Sequence, residues 1–178
     1  KLEGSIKKES CILADETPWG NLGKNAQKNF YLWGIRSEKA VYFQIVDTRA
    51  GRIARDLTEG FSGVLMCDGY RGYNVINDNI LKANCWGHAR RKFIVSELSY
   101  PDESKAVLDL IRELYKIEDE LKGKSKETIL KTRQARSQAV LETIYQKLWD
   151  LKSHLPQSTL GKAVDYSLKL WRGLTVFV

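Results

Sequence analysis

The 178-residue chain is poor in the residues that staple, break or anchor a fold, with three cysteines, three prolines, one methionine and two histidines. Three scattered thiols (Cys11, Cys67, Cys85) in a chain long enough to bury an ordinary core argue against a disulfide framework and for a reducing compartment. No apolar run approaches the roughly 20 residues that cross a bilayer, so no membrane partner is expected. The opening Lys1-Leu2-Glu3 is neither a signal peptide nor a translation start, and with the ending Thr175-Val176-Phe177-Val178 it suggests a piece of a longer protein. Blocks of one charge are missing as well. The 29 basic and 22 acidic residues leave +7, spread as +4 over residues 1–100 and +3 over 101–178. An anionic partner is favoured only through a surface made by folding, since there is no charged tail. At 43% hydrophobic and 29% charged, with 13 glycines, the chain is neither disordered nor collagen-like, and its length fits one domain with or without an appendage.

The first hundred residues read as strand-rich. Cys11-Ile12-Leu13-Ala14 is a short apolar run that stops at Asp15, with Pro18 and Gly20 marking a turn. Phe30–Ile35 and Val41–Val46, aromatic and β-branched, flank Arg36-Ser37-Glu38-Lys39 and predict a hairpin. Arg49–Glu59 reads as a short helix ended by Gly60, and Val64-Leu65-Met66-Cys67 as a second apolar run that stops at Asp68. Tyr70–Asn77 fits a helical turn, Ile80–Trp86 a fifth strand and His88–Leu98 a basic helix. The order β-β-β-α-β-α-β-α implies an α/β fold with a mixed sheet and helices on its faces.

From Pro101 the pattern turns helical. Pro101 suits a first helical position, and Val107, Ile111, Leu114, Ile117 and Leu121 recur at helical spacing until Gly123. Ser125 caps a second helix, whose stripe runs Leu141, Ile144, Leu148, Leu151, Leu155, and Ser158 caps a third. That stripe is too short for a dimeric coiled coil and is expected to pack internally. Residues 129–138, with Lys131, Arg133 and Arg136 and few apolar neighbours, read as a solvated or DNA-facing extension.

Two short apolar runs, each ending in aspartate before a turn, carry the chemistry. In α/β sheets ligands collect beyond the carboxyl ends of neighbouring strands. Two carboxylates brought together there repel, and a divalent cation offsets the repulsion. Mg²⁺ takes one or two carboxylates and keeps positions for water and phosphate oxygens. A pair of such ions about 4 Å apart serves phosphodiester cleavage. The competing reading is that Asp15 and Asp68 are ordinary turn formers.

The surrounding residues favour the metal reading. Cys11–Pro18 (C-I-L-A-D-E-T-P), Phe61–Asn74 (F-S-G-V-L-M-C-D-G-Y-R-G-Y-N), Cys85–Phe93 (C-W-G-H-A-R-R-K-F), Leu114–Glu120 and Leu155–Trp171 together resemble, in order, blocks of the insertion sequence 66 type of bacterial DDE transposases. The resemblance implies a ribonuclease-H-like mixed sheet, three strands antiparallel and two parallel, with an all-helical insertion. The implied core is residues 1–98, the insertion 99–157, and a helix leading back to the core 158–178. It further implies two Mg²⁺ (or Mn²⁺) ions, nicking and strand transfer on double-stranded DNA at transposon ends and target, homo-oligomers assembled on DNA, and a bacterial cytoplasmic, nucleoid-associated location. Asp15 matches the first catalytic and metal-binding acid and Asp68 the second. The third, a glutamate in an Asn-Asn-x-x-Glu-Arg block, has no match in this chain and is expected beyond Val178, which makes the chain by itself an inactive fragment. A structure-selective nuclease of the same fold and a non-catalytic DNA-binding remnant are the alternatives.

Other residues fall around this centre. Arg71, His88, Arg90, Arg91 and Lys92 are the expected DNA contacts, because neutralising phosphates supplies much of DNA affinity. Glu16 adjoins Asp15 but should project to the opposite strand face, as a structural or supporting group. Glu97 and Glu142 are weaker substitutes for the third acid. Cys85-x-x-His88 resembles half a zinc site, but Cys11, Cys67 and His154 offer no matching spacing for the other half. Cys67 should face the core, and Tyr70, Tyr73 and Trp86 should pack under the site.

Overall fold

The computed structural model describes residues 2–20, 29–153 and 156–178. They fall into two compact units, Lys1–Asn84 and Cys85–Val178.

The first unit opens with a short helix that the sequence pattern did not anticipate, α1 (Leu2–Ile6). It continues through β1 (Cys11–Trp19), β2 (Phe30–Arg36), β3 (Val41–Val46), α2 (Gly51–Thr58), β4 (Val64–Cys67), a 3-10 turn (Arg71–Val75) and β5 (Leu81–Asn84). The strands form one mixed sheet in the order β3-β2-β1-β4-β5. β1, β2 and β3 pair antiparallel, while β4 joins β1 and β5 in parallel. This α/β arrangement is the one expected of a ribonuclease-H-like sheet.

Alternation decides which face is covered. Ile12, Ala14, Trp33, Ile35, Leu65 and Cys67 are buried together with Ala54 and Leu57 of α2, Phe61 and Tyr73. Each large apolar side chain fully buried there is worth about 1.5–3 kcal/mol, which makes the strand registers hard to slip. β1 does not stop at Asp15 but runs through Pro18 to Trp19, paired with Tyr31 and Phe30. Proline is tolerated because β1 has already passed the end of its pairing with β4, at Leu13↔Met66, and has a single strand neighbour there.

The second unit is helical: α3 (Trp86–Ser96), α4 (Pro101–Glu120), α5 (Lys126–Thr132), a π-turn (Arg133–Ser137), α6 (Gln138–Asp150), α7 (Thr159–Lys169) and α8 (Trp171–Leu174). β5 is thus shorter than expected, and α3 begins two residues earlier. Ser125 and Ser158 accept the backbone N–H groups of Thr128 (3.2 Å) and Gly161 (2.9 Å), as capping requires. Phe93 packs with Val107, Ile111, Leu114, Leu141, Ile144, Leu148, Leu151, Leu160 and Val164. The 141–151 stripe is therefore internal packing; Leu155 lies outside the described residues.

Residues 129–138 are helical and do not form a free basic extension. Arg133 grips Glu118 through Nε (2.9 Å) and Nη2 (2.6 Å), Arg136 binds Glu120 (2.5 Å) and Lys131 binds Glu127 (2.7 Å). Each of these cations has an acidic partner within the unit, and Lys131 and Arg136 remain exposed to solvent.

Candidate active site

Parallel pairing sets Cys11 opposite Val64, Ile12 opposite Leu65 and Leu13 opposite Met66. Asp15 stands two residues further along β1 and shares a face with Leu13, while Asp68, two residues past Met66, follows the end of β4. The Asp15 side chain leaves the face opposite Ile12 and Ala14, and Asp68 stands just beyond the carboxyl end of the neighbouring strand. Asp15 is exposed and accepts the Glu16 N–H on Oδ1 (3.0 Å). Asp68 is half-buried; its Oδ1 accepts the Tyr70 N–H (2.8 Å) and its carbonyl accepts the Asn84 Nδ2–H (3.0 Å).

Glu16 points the other way, as strand alternation requires. Its side chain is wholly buried. Oε1 accepts Arg49 Nε (2.9 Å) and Nη2 (2.6 Å), and Oε2 accepts the Tyr73 hydroxyl (2.7 Å). Burial raises the Glu16 carboxyl above its ordinary value, while the Tyr73 and Arg49 hydrogen bonds pull it down. Burial and the Glu16 carboxylate push the Tyr73 phenol far up, which keeps it a donor. A carboxylate with both oxygens occupied on the core side cannot also serve Asp15.

The Gly69-Tyr70-Arg71-Gly72-Tyr73 segment closes this network. The Tyr70 hydroxyl donates to the Arg49 carbonyl (2.6 Å) and its ring lies under the Arg49 guanidinium, 3.9 Å from the centroid. A Cβ on Gly72 would run into the Tyr70 ring, so only glycine fits there. Tyr73 is buried and meets Trp33 and Tyr70 edge-on, at 6.0 and 6.2 Å. Arg71, between them, is exposed. Arg49 is the residue that sequence reasoning missed. It stands in a polar connection 33 positions from its partner, and nothing in its own neighbourhood marks it.

On α3, Ala89, Phe93 and Ser96 are buried and Arg90, Arg91 and Lys92 are exposed, with Lys92 Nζ 4.5 Å from the Tyr166 ring centroid. Among the described residues no carboxylate pairs with Arg71, Arg90 or Arg91, in contrast to Arg133 and Arg136. His88 is half-buried in the first turn of α3, its N–H bonded to the Cys85 carbonyl (3.1 Å). Trp86 packs edge-on against Trp171 and donates to the Leu174 carbonyl (2.8 Å).

Among the described residues no three His, Cys, Asp or Glu side chains gather as a metal site, and no zinc site surrounds Cys85 and His88. His154 lies outside the described residues. Cys67 faces the core, its thiol pushed up to about 12 by burial. Aspartate carboxylates such as Asp15 and Asp68 are hard oxygen donors of the kind that Mg²⁺ or Mn²⁺ takes while keeping positions for water and phosphate.

The family model described as Transposase IS66 family matches residues 1–178. The uncharacterized protein y4jD of Sinorhizobium fredii (strain NBRC 101917 / NGR234) is 32% identical over 199 residues, covering 100% of this chain and 39% of its own length. The uncharacterized proteins y4qI and y4hP of the same organism are 31% and 28% identical, covering 97% and 82% of this chain and 36% and 30% of their own lengths. The chain thus spans about two fifths or less of these curated relatives. No described helix is long and apolar enough to cross a membrane.

Proposed function

The chain belongs to the transposase IS66 family, and from that premise we propose that it carries two of the acidic residues with which a longer protein cuts and joins DNA at transposon ends. The observation that supports this most is the β1–β4 register: Asp15 on β1 and Asp68 just past β4 each follow two residues after the paired Leu13 and Met66. In this reading Asp15 and Asp68 hold Mg²⁺ or Mn²⁺, with two ions in the complete enzyme and a third acid from outside these 178 residues. A divalent ion bound there supplies a Lewis acid for phosphodiester chemistry and a water acidified for attack. The chain's own residues do the rest. Asp15 and Asp68 orient the reacting phosphate's cation, and Arg71, His88, Arg90, Arg91 and Lys92 contact the DNA backbone and fix its position. Residues 1–98 act as the catalytic core, 99–157 as the insertion and 158–178 as the return to the core. Double-stranded DNA is the partner, oligomers form on it, and the setting is the bacterial cytoplasm and nucleoid.

The direct test is Mn²⁺ titration of the chain, with free Mn²⁺ followed by electron paramagnetic resonance. Wild type binds, and Asp15→Asn and Asp68→Asn each abolish or strongly weaken binding. Equal affinity in all three proteins overturns the assignment.

A further inference from the structure

The two acids are held in different ways. Asp15 is an internal residue of β1, paired with Gly34 of β2. Asp68 stands just past the last paired residues of β4, Cys67↔Asn84, where the sheet no longer sets its course. Its carboxylate is tied to the Tyr70 N–H, and Tyr70 is tied by ring and hydroxyl to Arg49. Arg49 in turn is clamped by the buried Glu16, the residue next to Asp15.

We propose that Glu16, Arg49 and Tyr70 are positioning residues that set the Asp68 carboxylate from the far side of the sheet, so that both acids are referenced to the single Asp15–Glu16 peptide. The proposal rests on the cation reading above and deepens it. Adjacent strand residues point to opposite faces, so one peptide fixes Asp15 directly on one face and anchors the Arg49 clamp on the other. The clamp then runs past the end of β4, through Tyr70, to Asp68. Two guanidinium N–H groups converging on the one oxygen Oε1 fix direction as well as distance, which suits Arg49 to this task and a lysine poorly. Gly72 belongs to the same device, since its missing side chain leaves the Tyr70 ring its place.

The test uses the 178-residue chain and two readouts, the Tyr70 amide proton in ¹H–¹⁵N spectra and Mn²⁺ affinity. The variants are Arg49→Lys, which keeps the charge and loses the two-point grip, Glu16→Gln, and Tyr70→Phe, which keeps the ring and loses the hydroxyl. Thr58→Ala, which removes a buried hydroxyl bonded to the Ala54 carbonyl (2.8 Å), is the control for stability alone. The expected result is a displaced Tyr70 amide resonance and Mn²⁺ affinity lowered roughly tenfold to a hundredfold in the folded Arg49→Lys and Glu16→Gln proteins. Thr58→Ala lowers the melting temperature and moves neither readout. Folded variants with wild-type Tyr70 resonance and wild-type affinity overturn the proposal. If wild type itself binds no Mn²⁺, the cation reading fails. The Tyr70 resonance then decides the positioning chain alone, supporting it if displaced in Arg49→Lys and overturning it if not.

Discussion

Tyr70 and Arg49 hold each other twice: the tyrosine ring lies 3.9 Å under the guanidinium, and its hydroxyl donates to the carbonyl of the same arginine (2.6 Å). The contact joins the β3–α2 connection to the segment that follows Asp68, and the buried Glu16 is the anchor behind it. Removing any member leaves the others short of a partner.

Glu16→Ala leaves the Arg49 guanidinium and the Tyr73 hydroxyl without their acceptor. Breaking a buried ion pair costs about 3–5 kcal/mol, and the partly exposed Arg49 places this one near the lower end, about 3 kcal/mol. Urea unfolding measures it. A loss near zero would mean that water or another acceptor takes over.

The same carboxyl carries a pH signature. Burial raises Glu16 above its ordinary 4.5. A carboxyl that holds its proton more tightly folded than unfolded contributes stability that is complete below the unfolded value and is lost as pH rises through the folded one. Glutamine has no such dependence. The unfolding free energy of wild type minus that of Glu16→Gln therefore falls as pH climbs above about 4. Stepped-pH denaturation curves that leave this difference flat or rising would contradict it.

Gly51→Ala tests how tightly α2 sits on the 3-10 turn. Alanine gains up to about 1 kcal/mol in helix propensity. Its Cβ, however, would stand 2.7 Å from the Gly72 carbonyl oxygen and 2.9 Å from Val75 Cγ2, and backbone cannot swing aside. Overpacking of this kind costs about 1–3 kcal/mol, so the net effect is a loss, visible as a lower melting temperature. A higher one would show that the turn yields freely.

Cys67 should resist alkylation in the folded protein. With its thiol at about 12, only about one molecule in ten thousand carries the reactive thiolate at pH 8, and the side chain is buried. Peptide mass spectrometry after iodoacetamide treatment should find Cys67 unmodified in buffer and modified in urea. Equal modification in both would place it at the surface.

The basic residues separate into two sets. Arg90→Ala, Arg91→Ala and Lys92→Ala together should weaken binding to a duplex of arbitrary sequence and flatten the plot of log affinity against log salt, by about 0.9 for each phosphate no longer neutralised. Lys131→Ala, Arg133→Ala and Arg136→Ala together should change that slope less, because each of those cations already has a carboxylate partner in Glu127, Glu118 or Glu120. Identical slopes for the two triple variants would count against the division.

From β1 onward the order of strands and helices, the capping serines at 125 and 158, the internal stripe from Leu141 and the candidate pair of aspartates were legible along the chain. Each is written in local periodicity or in a residue beside its own helix or strand, and Glu16's turn to the opposite face follows from strand alternation alone. The partners of Glu16 were not legible. Arg49 and Tyr73 lie 33 and 57 residues away, and such pairings exist only once β1 and the Asp68–Tyr73 segment have been brought to one core. Folding likewise decided that Pro18 continues a strand, because a strand neighbour ended before it, and that Arg133 and Arg136 are spent on acidic partners in the same helical unit. The sequence by itself determined which residues are candidates for the chemistry, since side-chain type and short-range spacing are local properties. Only the tertiary structure decided which side chains meet, as Glu16 does with Arg49 and Tyr73, because that depends on strand register and on contacts between segments far apart in the chain.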